Sequence, residues 1–248
     1  MSKRNAFVTG GTGGIGTSIC QRLADDGFNV IAGYYGGGNH EKAQAWQKEQ
    51  VEKGYDIDIA YGNAADFDSA QECIQKTIEK HGVISVLVNN AGITRDAMFK
   101  KMSHDFWTQV IATNLDSDFN VTKAVFQGML DQGYGRIINM SSINGQKGQA
   151  GQTNYSAAKA GMHGFTKALA QECASKGITV NTISPGYVAT EMVKSIKPEI
   201  LEKIVAAVPM KRLAEPEEIA ICVGYLASEL SGYITGANIA INGGQHMY

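Results

Sequence analysis

Residues 5–16 read Asn-Ala-Phe-Val-Thr-Gly-Gly-Thr-Gly-Gly-Ile-Gly, a short apolar run that passes directly into a glycine-dense turn. Apolar residues then recur at Ile15, Ile19 and Leu23, the spacing of one helix face, until Gly27 offers a C-terminal stop. Strand, glycine turn and helix in that order predict a parallel βαβ unit, and the same alternation continues to the end of the chain. Further strands are predicted at residues 28–32, 57–61, 86–90, 135–140, 180–184 and 237–241. Helices are predicted at 40–53, 66–81, 105–132 and 153–175, with weak ones before Val208 and another opened by Pro216-Glu217-Glu218. Ser103 caps the long stretch to Gln132, and Asn39 the polar helix that follows it. Strands alternating with helices mean a parallel sheet covered on both faces. The predicted fold class is α/β: one doubly wound, Rossmann-type domain over residues 1–248, built on a seven-stranded parallel sheet. The chain holds no repeat, linker or low-complexity segment, and its 248 residues suit one large domain.

The glycine turn is itself a candidate site. Gly10-x-x-x-Gly14-x-Gly16 follows a strand and opens a helix, the context of a dinucleotide fold. Glycines permit the tight turn and close backbone approach, and the helix N-terminus offers free N–H groups to a pyrophosphate. A flexible glycine-rich turn is the plainer alternative. A ribose-binding acid is expected about 20 residues on, but that place reads Gly33-Tyr34-Tyr35-Gly36. Without a carboxylate nothing repels a 2′-phosphate, which favours NADPH, with NADH possible. His40 and Lys42 are the nearest basic groups.

A second stretch, Asn139 to Lys159, carries a candidate acid/base. Ser142 precedes Tyr155 by thirteen residues and Lys159 follows it by four. On a helix, positions i and i+4 share a face, so phenol and ammonium are expected side by side, with Ser142 reaching them from the end of a strand. A phenol with a pKa of about 10 is a poor proton donor near neutrality, and a neighbouring ammonium is expected to lower that value. A drop of ~3 units would ask roughly 4 kcal/mol of Lys159 and the cofactor. Taken alone, Tyr-x-x-x-Lys equally describes a core tyrosine and a solvated lysine.

Composition narrows the function classes. A net charge of −2 gives no general reason to expect nucleic-acid binding or membrane adsorption. Cys20, Cys73, Cys173 and Cys222 are far apart and read as small core residues in a reducing compartment. No apolar run of eighteen residues and no export signal are read, so a cytoplasmic protein is expected. His81, His104, His163 and His246 lack metal-like spacing, and no metal site is predicted.

Together, Thr9-Gly10-x-x-x-Gly14-Ile15-Gly16, Asn89-Asn90-Ala91-Gly92, Asn114, Ser142, Tyr155-x-x-x-Lys159 and Pro185-Gly186 resemble the short-chain dehydrogenase/reductase family over the whole chain. The resemblance implies NAD(P), Tyr155 as general acid/base, and Ser142 on the substrate oxygen. It also implies Lys159 on the nicotinamide ribose and the tyrosine, and Asn114 carrying a water that links Lys159 to solvent. The implied cofactor contacts are Gly10, Gly13, Gly14, Ile15, Gly16, Gly36, His40, Gly62, Asn63, Ala64, Asn89, Asn90, Ala91, Gly92, Tyr155, Lys159, Pro185, Gly186 and Val188.

Within that family, Ile93-Thr-Arg-Asp96, Asn144-Gly-Gln-Lys-Gly-Gln149, Gly151-Gln-Thr-Asn-Tyr155 and the tail Asn242-Gly-Gly-Gln-His-Met247 are similar to the acetoacetyl-CoA reductases of polyhydroxybutyrate synthesis. That implies reduction of acetoacetyl-CoA, or a related 3-oxoacyl thioester, to (R)-3-hydroxybutyryl-CoA. Asp96, Ser142, Gln149, Gln152, Tyr155 and Tyr187 would line the substrate site. Ala150 stands where an aromatic is expected, implying a looser hold on the acyl chain. The main rival is a 3-oxoacyl-acyl-carrier-protein reductase; a non-catalytic dinucleotide sensor would need only the glycine turn. Tyr187 to Lys197 reads either as a closing lid or as a variable surface loop. The small residues Ala157, Ala158, Gly161 and Gly164 suit a helix-paired homotetramer, or close packing within one chain.

Overall fold

A computed structural model describes residues 3–194 and 197–247. Seven strands form one sheet in the order β3-β2-β1-β4-β5-β6-β7: β1 (Asn5–Thr9), β2 (Asn29–Tyr34), β3 (Ile57–Tyr61), β4 (Ile84–Asn89), β5 (Gly135–Met140), β6 (Ile178–Pro185) and β7 (Asn238–Ile241). Every pairing is parallel. Side chains on a strand alternate between faces, and here both faces are apolar. Ala6, Val8, Val86, Val88, Ile138 and Met140 pack on one side under Ile19, Leu23, Ile219 and Val223. Phe7, Leu87 and Ile137 pack on the other under Ile74, Val121, Val125 and Met129.

The helices are α1 (Gly14–Asp25), α2 (His40–Glu52), α3 (Phe67–His81), α4 (His104–Ile111), α5 (Ser117–Gln132), α6 (Ile143–Lys147), α7 (Thr153–Cys173), α8 (Glu191–Lys194), α9 (Pro198–Ala207) and α10 (Pro216–Ala227). The side chains of Asn39, Asp66 and Ser103 cap α2, α3 and α4, each accepting from a backbone N–H three residues on. α1 and α10 cover the first face of the sheet, and α3, α5 and α7 the second.

Three sequence expectations are corrected. β2 extends to Tyr34 rather than ending at Ala32, because Tyr34 pairs with Tyr61 across to β3. The helix expected over 105–132 is broken by a π-helical turn at Ala112–Asp116, where the Asn114 side chain is drawn onto the backbone of Ile93. Ser142 does not end a strand. β5 stops at Met140, and Ser142 caps the short helix α6, accepting from the Asn144 amide. The segment Tyr187 to Lys197, expected as a lid or a surface loop, falls partly on residues 195 and 196, outside the described residues; the described part holds the Val188–Ala214 bridge, the single turn α8 and Lys197, the N-cap of α9.

Candidate active site

Strand order reverses between β1 and β4, the place where ligands bind in open α/β sheets. Two cavities meet there. One, of about 240 Å³, runs from Gly10 past Tyr34, Tyr35 and Gly36 to Gly62, Asn63, Ala64, Ala91, Gly92 and Ile93. The other, of about 430 Å³, runs from Gly10, Gly13, Gly14, Ile15, Gly16, Asn90, Ala91 and Gly92 to Met140, Ser141, Tyr155, Lys159, Pro185 and Thr190. Gly10, Ala91, Gly92 and Ile93 line both, so the pair forms one crevice along the ends of the strands.

Backbone builds the first end. Gly10 sits at φ +62°, and a Cβ on Gly16 would lie 2.2 Å from the Gly10 carbonyl oxygen. Only glycine allows α1 to start this close to β1. Asn90 braces the turn, its Nδ2 donating to the carbonyls of Thr9 (3.0 Å) and Gly10 (3.2 Å). The Thr9 hydroxyl accepts from the amides of Asn90 and Ala91, both at 2.9 Å. At the end of β2, Tyr34 Oη lies 2.8 Å from His40 Nδ1. The His40 ring packs edge-on against Tyr61, 4.6 Å between centroids. The sequence from Gly33 to His40 holds no carboxylate.

Side chains build the second end. Lys159 is buried on α7, and its Nζ donates to the Met140 carbonyl at 2.7 Å. Nζ lies 5.7 Å from the centroid of the half-buried Tyr155 ring. The expected i, i+4 pairing is therefore present, but its electrostatic consequence is not. Burial holds the Tyr155 phenol above its ordinary pKa; a hydrogen bond with Ser142 opposes that rise, and Asp96 adds to it. Burial also holds the Lys159 ammonium below its ordinary value, against the support of Asp118. The expected lowering of the phenol by Lys159 is corrected accordingly: the ammonium is hydrogen-bonded to Met140 and the phenol to Ser142.

Asn114 is fully buried, and both ends of its amide are taken by Ile93, Oδ1 accepting at 2.7 Å and Nδ2 donating at 2.8 Å. Its side chain fixes the loop above Gly92. Asn89 lies in the core rather than on the crevice, its Nδ2 donating to Thr122 and Asn139. Gly186 binds the β7 end through its amide, and a Cβ there would lie 2.9 Å from Asn242 Cα. Val188 is buried and bridges to Ala214. His40, Gly186 and Val188 thus flank the crevice without lining either cavity.

The expected substrate residues divide. Gln152 is joined to Asp96 (Nε2 to Oδ2, 2.8 Å) and accepts from Asn144 Nδ2 at 2.8 Å, beside the mouth of the crevice. Burial and the charge of Asp96 both raise the Tyr187 phenol. Gln149 lies outside this group, exposed, accepting from Lys147 at 3.2 Å. Sequence reasoning missed Asn154, fully buried with Nδ2 donating to the carbonyls of Arg95 and Phe106, which ties the head of α7 to the substrate side. It also missed Ser141, whose hydroxyl donates to the Lys159 carbonyl. Neither has a local spacing signal, because each partner is distant in the chain.

The family model of short chain dehydrogenases matches residues 4–201, and the chain belongs to that family. It is 58% identical over 247 residues to an acetoacetyl-CoA reductase of Cupriavidus necator, covering 100% of both chains. An acetoacetyl-CoA reductase of Allochromatium vinosum is 53% identical, with 99% of each chain covered. A 3-oxoacyl-acyl-carrier-protein reductase of Staphylococcus aureus is 42% identical, with 98% of each covered. The family implies a nicotinamide cofactor, and the crevice fits one: Gly10, Gly13, Gly14 and Gly16 line it at the start of α1, and a Cβ on Gly13 would stand in open space. Among the described residues no helix is long and apolar enough to cross a membrane, and no cluster of His, Cys, Asp and Glu could hold a metal ion.

Proposed function

We propose that the protein reduces acetoacetyl-CoA to (R)-3-hydroxybutyryl-CoA, with NADPH held along the crevice, and that the chain acts as a single domain. The observation that carries this reading is the meeting of Tyr155, Ser142 and Lys159 at one end of a glycine-built nucleotide cradle. A bound nicotinamide would supply the hydride. The Ser142 oxygen accepts the Asn144 amide at 3.1 Å and its hydroxyl is shared with the Tyr155 phenol; with substrate bound, its hydrogen would turn to the ketone oxygen, where negative charge develops. Tyr155 delivers its proton to that oxygen. Burial keeps the phenol protonated through neutrality, the form a reductase needs. The rate of reduction should therefore hold through neutral pH and fall on the alkaline side. Lys159 supplies positive charge beside Tyr155 and a donor for a ribose hydroxyl. Asn114, fixed on the Ile93 backbone by both ends of its amide, would carry the water that links Lys159 to solvent.

The joined Asp96, Asn144 and Gln152, with Tyr187 beside them, are the proposed thioester side. The absence of an acid at the end of β2, with His40 against Tyr34, supports NADPH over NADH. The identities to two acetoacetyl-CoA reductases exceed that to the carrier-protein enzyme, which favours the CoA ester. Four free cysteines are in keeping with a reducing, cytoplasmic setting. On α7, Gly161 meets Leu115 and Ala158 is buried within the chain, while Ala157 and Gly164 remain exposed. Those exposed positions support a helix-paired homotetramer.

The test is the initial rate of NADPH oxidation with acetoacetyl-CoA against acetoacetyl-acyl carrier protein. A clearly higher kcat/KM with the CoA ester is expected. A preference for the carrier protein would move the enzyme to acyl-chain elongation.

A further inference from the structure

From the π-helical turn into α5, three polar side chains enter the core at successive turns: Asn114, Asp118 and Thr122, which are 0%, 1% and 3% exposed. The outer two are satisfied, Asn114 by Ile93 and Thr122 by Asn89. Asp118 is not. Neither of its carboxylate oxygens has a hydrogen-bond partner among the described residues, and Asn89 Oδ1 shares that condition. The neighbouring Ser117 hydroxyl donates instead to the Thr113 carbonyl at 2.7 Å. A buried carboxyl group without hydrogen bonds is costly, and unsatisfied buried groups concentrate where function requires them.

One cation acts on this carboxyl: Lys159, itself 3% exposed. The elements packed around the pair bring no other charge among the described residues. β4 offers Asn89, β5 Asn139, and α7 Met162, Thr166 and the neutral Tyr155. Glu72 and Lys76 of α3 pair with each other at the surface. Asp116 and Lys123, beside Asp118 in sequence, are exposed. Burial pushes both partners toward their neutral forms, and each partner's charge opposes the push on the other.

We propose that Asp118 is a positioning residue that keeps Lys159 in its ammonium form across the pH range in which Tyr155 works. This rests on the reading of Lys159 as the cation beside Tyr155. The arrangement has a physical logic. A carboxylate in direct salt bridge would take up an N–H of Lys159. One that acts through space, without a hydrogen bond, supports the charge and leaves the three donors of the ammonium for the Met140 carbonyl, Met162 Sδ and the crevice.

The test is the pH profile of kcat/KM for NADPH-dependent reduction by Asp118→Asn and Asp118→Leu. Near pH 6, both should turn over within about threefold of the unmodified enzyme. Their alkaline limb should move at least one unit lower, giving a deficit of about tenfold or more near pH 9. A uniform loss at all pH values, with the limb unmoved in both variants, would reduce Asp118 to a packing role and overturn the proposal. If the variants do not fold, the unmodified protein decides. With aspartate labelled at 13Cγ, one carboxyl should titrate well above the ordinary carboxylate range, and higher still in Lys159→Met. A full set of ordinary titrations, or no response to Lys159→Met, would refute the pairing. Full activity in Lys159→Met is a different result: it would remove the catalytic reading of Lys159 and leave the measured coupling standing.

Discussion

The two ends of the crevice are made of different material. At the nucleotide end the shape is backbone: a glycine turn in which Gly16 has no room for a Cβ, braced by Asn90 and Thr9. At the proton-transfer end the shape is side chain: Tyr155, Ser142 and Lys159 on three-dimensional neighbours, with an unpaired acid behind them. Two aspartates make the same contrast in electrostatic terms. Asp58, on β3, is partly buried, which disfavours its charge, yet hydrogen bonds from Lys80, the Ile59 amide and His81 outweigh this and hold its pKa below the usual value. At Asp118 burial wins: the charge of Lys159 and the adjacent Ser117 hydroxyl offset it only in part, and the carboxyl is pushed up to about 8. Asp58 lies away from the crevice, held by Lys80 and His81 at the end of α3 near the starts of β1 and β2, where a fully satisfied charge serves stability. A proton-transfer site is where unsatisfied ones are retained.

The comparison can be broken most forcefully at Lys159. Replacing it with methionine should lower kcat by about 10³-fold, within the range of general acid/base groups, while NADPH still quenches or enhances fluorescence on binding. A loss confined to KM would shift Lys159 to the binding end. Next in size is Gly16→Ala, where the new Cβ meets the Gly10 carbonyl. Overpacking of this kind costs about 1–3 kcal/mol, and the KM for NADPH should rise at least about tenfold, as steady-state kinetics and thermal melts would report. An unchanged KM would mean that the turn does not cradle the cofactor.

His40→Ala tests the rim of the nucleotide end. An exposed ionic contact is worth up to about 1 kcal/mol, so the KM for NADPH should rise by up to about fivefold and that for NADH should stay put. Equal changes with both cofactors would dissociate His40 from the 2′-phosphate. Smallest is Asp58→Asn. A carboxylate whose folded pKa is lowered contributes stability above its unfolded pKa and loses it as pH falls through the folded value. The variant should therefore be less stable by about 1 kcal/mol at neutral pH, with the gap closing in acid; denaturant melts at several pH values would show it.

The backbone end was largely readable in the sequence. Glycine spacing, the strand before it and the helix after it are local signals, and they place Gly10 to Gly16 and the missing acid near Tyr34 correctly. Tyr155 and Lys159 were readable for the same reason, four residues apart on one helix. What surrounds them was not. Asp116 and Asp118 look alike as helix acids; two residues apart they face opposite sides of the helix, and the π-helical turn, which shifts the helix phase, sets which of them meets the core. The Met140 carbonyl that receives Lys159 and the Ile93 backbone that occupies Asn114 come from separate strands and loops. Asn89 belongs to a local motif, yet strand alternation turns it into the core, onto Thr122 and Asn139.

The central claim, that the side-chain end transfers the proton, is tested most directly by Tyr155→Phe. The measurement is the initial rate of NADPH oxidation with acetoacetyl-CoA at neutral pH, alongside a thermal melt and NADPH binding. The account predicts a fall in kcat of about 10³-fold or more with melting temperature and NADPH affinity unchanged. Turnover within tenfold of the unmodified enzyme would contradict it and assign proton delivery to another group.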